Sequence, residues 1–119
     1  MGLEILIPYP TLLACRLDTT VLLVGSKDIR RIGEIVEFYK KGGWDFLMQH
    51  LPAEKEKSWW AKVRDCAENF SWDLYRTPSL PTVKAHDGTL EFHSGGGNHR
   101  AMALAIRAGP EIIPVILNL

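Results

Sequence analysis

Residues 91–104 read Glu-Phe-His-Ser-Gly-Gly-Gly-Asn-His-Arg-Ala-Met-Ala-Leu. The pattern predicts a strand that runs into a triple-glycine turn, and a turn that runs into a helix. Three consecutive glycines lose chain entropy and pack nothing, so they mark a place where the backbone bends sharply or approaches something closely. The helix that follows leaves its first N–H groups unpaired, and its dipole puts partial positive charge there. Together these effects make an anion site. Gly95, Gly96 and Gly97 therefore read as a phosphate- or nucleotide-binding turn, with Asn98, His99 and Arg100 as donors in the first helical turn. The plain alternative is a structural strand-to-helix corner with nothing bound.

Immediately upstream, Asp87-Gly88 is a preferred two-residue hairpin turn. Counting outward pairs His86 with Thr89, Ala85 with Leu90, Lys84 with Glu91, Val83 with Phe92 and Thr82 with His93. Val83, Ala85, Leu90 and Phe92 then share one face, and Lys84 meets Glu91 with opposite sign on the other. Downstream, a helix is expected over about 97–108, with Met102, Ala105 and Ile106 inward. Gly109-Pro110 closes it. Ile112 to Leu117 reads as a buried strand, in which Pro114 argues for an edge position or a bulge.

The N-terminal half is less regular. Leu3 to Ile7 is a strand ended by Pro8 and Pro10. Thr11 to Arg16 is open between helix and strand. Thr19 to Val24 is β-branched and apolar, a buried strand. Ser26 suits an N-cap, and Ile29, Ile32, Val36 and Tyr39 recur at helical spacing, which predicts a helix over about 28–41 ended by Lys40-Lys41-Gly42-Gly43. Trp44 to Leu51 holds one or two helical turns, and Pro52 fits the first turn of another helix. Trp59/Trp60, Val63, Cys66/Ala67 and Phe70 make an apolar stripe, with Lys55, Lys57, Lys62 and Arg64 elsewhere around the helix. The two tryptophans either roof the core or face a protein partner. Thr77 to Pro81 reads as an extended linker. The fold class is α/β (α+β): one domain over 1–119 with a small mixed sheet and a helical insert at about 44–81.

Composition narrows the functions. The 119 residues are 46% hydrophobic and 24% charged, ordinary for a globular chain. The 14 basic and 14 acidic residues balance, which disfavours strong non-specific nucleic-acid binding. Local basic charge at Lys27, Arg30, Arg31, Lys40 and Lys41 keeps a DNA-binding or nuclease-like module as an alternative. Cys15 and Cys66 form no CxxC pair and read as reduced, small hydrophobes. Together with the absence of a membrane-length apolar run or a secretory pattern, this predicts a cytoplasmic protein without a membrane partner.

His99 can serve as a general acid or base, and Arg100 offers a planar fork for phosphate. Glu91, Asp87 and Glu34 are the carboxylates that could hold Mg²⁺ or activate a nucleophile, and His99 and Glu91 are the residues expected to be catalytic. No metal site is expected from the histidines. On the hairpin face His93 lies four residues beyond the partner of His86, roughly 13 Å along the strand. The glycine turn lacks the Gly-Lys-Ser/Thr of a Walker motif, and its spacing is not that of a dinucleotide fingerprint.

The order of hairpin, Gly97-Asn98-His99-Arg100, alanine-rich helix and Ile113-Pro114-Val115 resembles the ParB/sulfiredoxin superfamily. ParB-type partition proteins have Gly-Glu-Arg-Arg at the motif, and sulfiredoxins have Gly-Cys-His-Arg. The resemblance implies a compact α/β fold whose motif turn contacts nucleotide phosphates, so the implied ligand is CTP, ATP or ADP with Mg²⁺. The sulfiredoxin catalytic cysteine falls at Asn98, which cannot form a sulfur intermediate. No helix-turn-helix follows, and the stretch 44–81 has no counterpart. Three functions stay open: a nucleotide-binding domain that is a hydrolase or phosphotransferase, the DNA-binding or nuclease-like module, and a catalytically inactive domain that binds a protein partner through 44–70.

Overall fold

A computed structural model describes residues 2–23, 27–49, 54–93, 97–107 and 111–118. The chain is a mixed α+β fold built on a six-stranded sheet. In chain order it forms β1 (Gly2–Pro8), α1 (Tyr9–Ala14), β2 (Arg16–Leu23), β3 (Lys27–Arg31), α2 (Ile32–Lys40), α3 (Gly43–Gln49), α4 (Glu54–Glu68), α5 (Trp72–Tyr75), β4 (Thr82–His86), β5 (Thr89–Phe92), α6 (Asn98–Ile106) and β6 (Ile112–Asn118). The sheet order is β1-β6-β4-β5-β2-β3, with parallel pairing only where β4 meets β6 and β2 meets β5.

The β4–β5 hairpin has the register that its turn dictates: Val83 opposite Phe92, Lys84 opposite Glu91, Ala85 opposite Leu90, His86 opposite Thr89. Asp87 and Gly88 both take positive φ, +48° and +80°, the twist that a two-residue hairpin needs. Val83 and Phe92 are fully buried in a core shared with Leu17, Ile7, Ile113 and Val115 from the sheet. The helices supply Ile32, Ile35, Trp60, Val63 and the run Ala101–Ala105. Helix α6 is buried along nearly its whole length, with α4 packed against it. Arg107 just beyond α6 donates to the carbonyl of Ala67 at 2.8 Å and sits over the Phe70 ring, which ties the two helices together.

Several expectations are corrected. The helix expected over 28–41 begins only at Ile32, because residues 27–31 form β3 and pair antiparallel with β2. A strand register from a sequence neighbour overrides the helical spacing of Ile29. The Ser26 cap lies outside the described residues. Thr11–Arg16 resolves into helix α1 up to Ala14, with Pro10 in its first turn, where a missing N–H costs nothing. Gly33 allows α1 and α2 to approach, since a Cβ there would lie 2.9 Å from the carbonyl oxygen of Leu13.

Pro114 is neither at an edge nor in a bulge: β6 lies between β1 and β4 in continuous register. The N–H of Ile116 points toward β4, bonding the carbonyl of Pro81 at 2.9 Å. Two residues earlier the same side of β6 lies beyond the start of β4, so the missing N–H of Pro114 breaks no rung. The Pro114 carbonyl accepts from the Tyr75 hydroxyl at 2.9 Å. The linker expected over 77–81 is preceded by α5 and contains a cis Thr77–Pro78 bond.

Candidate functional site

Helix α6 begins at Gly97, which holds φ +90°. A Cβ there would lie 3.0 Å from Pro81 and 2.7 Å from Nη2 of Arg100, so both backbone and space demand glycine. Among the described residues no side chain caps the helix. Its first-turn N–H groups therefore stay available to whatever approaches. Gly95 and Gly96 lie outside the described residues.

The three polar residues of the first turn have different fates. Asn98 is 5% exposed. Its Nδ2 donates to the carbonyl of His93 at 2.8 Å, and its Oδ1 accepts from the N–H of Asp18 at 3.2 Å. One amide thus stitches α6 to β2 and to the end of β5. Arg100 donates through Nη1 to the carbonyls of Tyr75, at 2.6 Å, and Ser79. It holds the segment after α5 in place. His99 packs its ring against Trp59, centroids 4.9 Å apart and planes tilted by 41°. Its Nε2 is buried without a hydrogen-bond partner. Burial pushes the His99 pKa down; Lys62 pushes the same way and Asp18 opposes.

A cavity of about 580 Å³ opens at this helix end. One wall is the first turn of α6, Gly97 to Arg100. The other is α4, with Trp59, Lys62, Asp65 and Cys66. Trp59, Lys62 and Cys66 stand at i, i+3 and i+7, one face of the helix. Asp18 of β2 completes the lining. It lies where the β2–β3 register shifts, between Arg16 and Val21, and such irregularities re-aim side chains. A smaller cavity of about 210 Å³ adjoins, sharing Asp65, Cys66 and Arg100 and faced with Phe70, Leu74 and Tyr75.

Glu91 does not line the larger cavity. Its carboxylate accepts from Nη2 of Arg30 at 2.7 Å, and the same guanidinium holds the carbonyl of Leu17. Of the two residues expected to be catalytic, His99 lines the cavity and Glu91 does not, and the carboxylate partner of Glu91 is Arg30 rather than Lys84, its neighbour in register. Asp87 sits exposed at the hairpin tip beside His86, and His93 Nε2 contacts the amide of Asn118 at 3.1 Å. Among the described residues no three His, Cys, Asp or Glu side chains come together. Of the basic residues flanking α2, Arg30 is paired with Glu91 and Lys40 with Glu37. Cys15 is buried and its thiol is pushed up to about 12; burial also raises Cys66. No helix among the described residues is long and apolar enough to cross a membrane.

The cavity residues that sequence reading missed are Asp18, Lys62 and Asp65, and Trp59 in its role as a wall. The apolar stripe leaves Lys62 elsewhere around the helix, and only the packing of α4 on α6 turns the face with Trp59, Lys62 and Cys66 into a wall. Asp18 carries no local signal. No protein-family model, curated protein or solved structure matches this chain.

Proposed function

We propose that the cavity binds a phosphate-bearing small molecule, a nucleotide first among them, and that the chain is a cytoplasmic ParB/sulfiredoxin-like domain. The observation that carries this reading is the cavity at the uncapped end of α6, behind a left-handed glycine. Such an end presents N–H donors and partial positive charge to an anion. Its volume suits a nucleotide-sized ligand better than a bare oxyanion. Lys62 has no carboxylate partner among the described residues and is the cation free to meet a phosphate. Arg100 adds charge while it braces the wall.

For CTP, ATP or ADP, Asp18 and Asp65 are the carboxylates that would share Mg²⁺ with phosphate oxygens, a role for which the sequence offered Glu91, Asp87 and Glu34. A hydrolase or phosphotransferase reading rests on His99. Burial and Lys62 lower its pKa and so favour the neutral imidazole, the form that can accept a proton from a water or hydroxyl nucleophile.

Thermal denaturation with ATP, CTP, ADP and pyrophosphate, each with and without Mg²⁺, tests the reading. A ligand present at about a hundred times its Kd adds roughly 2.7 kcal/mol of stability. Lys62→Ala should keep the melting temperature of the free protein and lose most of the ligand-induced shift. No shift with any of these compounds would overturn the proposal.

A further inference from the structure

The two cavity walls carry different chemistry, and that difference bears on which phosphate compound fits. This inference rests on the phosphate-binding reading and narrows it. Beside the anion-binding helix end stands Trp59, half-buried and braced. Its indole meets the buried Trp60 edge-on at 5.0 Å and packs against the His99 ring at 4.9 Å. Trp60 in turn meets Trp44 at 6.4 Å. The part of the Trp59 indole that lines the cavity is what a ligand reaches. A ring held this way loses little freedom when a second flat ring packs on it, which is what a stacking platform requires.

Charge sets a second limit. Among the described residues the cavity lining holds one ammonium and one guanidinium, Lys62 and Arg100, against two carboxylates, Asp18 and Asp65. A site with this balance receives one phosphate group at the α6 end without opposing its own field. A triphosphate brings more negative charge than Lys62 and Arg100 can offset against two carboxylates. The same carboxylates are acceptors for ribose hydroxyls and for exocyclic amino groups. The distances along α4 agree with a ligand that has two ends. Trp59 and Lys62 are one turn apart on one face, so a ring on the first and a phosphate at the second are a few ångströms from each other.

We propose that the preferred ligand is a nucleoside monophosphate, its phosphate at the first turn of α6 and beside Lys62, its base stacked on Trp59. Trp59 is then the residue that determines specificity.

The test measures the affinities of AMP, CMP, ribose 5-phosphate, inorganic phosphate and ATP without Mg²⁺ for the wild type, Trp59→Leu and Trp59→Phe. AMP or CMP should bind at least tenfold tighter than ribose 5-phosphate, within the range that base stacking supplies. Trp59→Leu should remove that advantage and leave ribose 5-phosphate affinity in place, and Trp59→Phe should restore most of it. Metal-free ATP should bind no tighter than AMP. Equal binding of AMP and ribose 5-phosphate overturns the stacking claim and leaves phosphate binding standing. That comparison uses the wild type alone, so it decides even if Trp59→Leu fails to fold. Much tighter binding of ATP overturns the charge argument. Binding of none of the five removes this inference together with the reading beneath it.

Discussion

The α6 wall and the α4 wall of the cavity use polar side chains in opposite ways. On α6, Asn98 and Arg100 are spent on the protein's own backbone: His93, Asp18, Tyr75 and Ser79 receive or supply their hydrogen bonds. On α4, Trp59 and Lys62 face the cavity, and Lys62 meets no carboxylate among the described residues. The first wall builds the site and the second is free to choose what enters it. A residue type with binding chemistry is therefore no guide to binding until its partners are known. Arginine is the residue best suited to phosphate, yet here it also anchors a loop.

The sharpest way to break this contrast is to exchange the walls' roles by mutation. Arg100→Ala leaves the part-buried carbonyl of Tyr75 without its donor, which costs about 1–3 kcal/mol, and releases the exposed carbonyl of Ser79 to water with the loss of one hydrogen bond, about 1 kcal/mol. The expected loss is about 3 kcal/mol in denaturant unfolding, against less than about 0.5 kcal/mol for the exposed Lys62→Ala. Equal losses for the two would erase the distinction. Asn98→Ala removes both halves of a buried bridge and should cost about 2 kcal/mol, measured by the same unfolding curves. A cost near zero would mean that α6 is positioned by packing alone.

Smaller effects sharpen the contrast further. The His99 pKa is depressed by burial, then by Lys62. Above the ordinary histidine value of 6.5, both folded and unfolded states are neutral there and stability is unaffected by this group. As pH falls below 6.5 the unfolded chain takes the proton first, so stability declines until the lower folded pKa is passed. His99→Gln should flatten that acid limb, and Lys62→Ala should lessen it, because the α4 cation acts on the α6 imidazole. A limb unchanged in both variants would assign it to other groups. The smallest effect is expected from Glu91→Gln. It weakens a partly buried pair with Arg30 but keeps a hydrogen-bond acceptor there, and should cost about 1 kcal/mol, with no change in ligand affinity. A large loss of ligand binding in that variant would return Glu91 to the site.

The parts of the fold that were legible in the sequence are those fixed by short-range chemistry. Asp87-Gly88 sets the hairpin register because a two-residue turn leaves only one count, and the glycine at 97 announces the start of α6. What was not legible depends on partners distant in sequence. Residues 27–31 carry a helix-like spacing but pair with β2. Pro114 is tolerated inside the sheet because β4 begins two residues further along. Glu91 looks across at Lys84, yet its carboxylate is held by Arg30 from β3. Asp18 enters the cavity through an irregularity in β2 that no local pattern marks. In the site, Gly97 and His99 were legible as a motif, whereas the cation and the aromatic wall were not, since α4 reaches them only by packing on α6.

The most direct test of the central claim is amide chemical-shift mapping by NMR during titration with AMP and with inorganic phosphate. The account expects the backbone N–H signals of Asn98, His99 and Arg100 to move in a saturable way with both compounds. The indole N–H of Trp59 should move with AMP alone, and the hairpin tip at Asp87 and Gly88 should stay still. First-turn signals of α6 that remain fixed at saturating ligand, or shifts centred on another part of the chain, would contradict it.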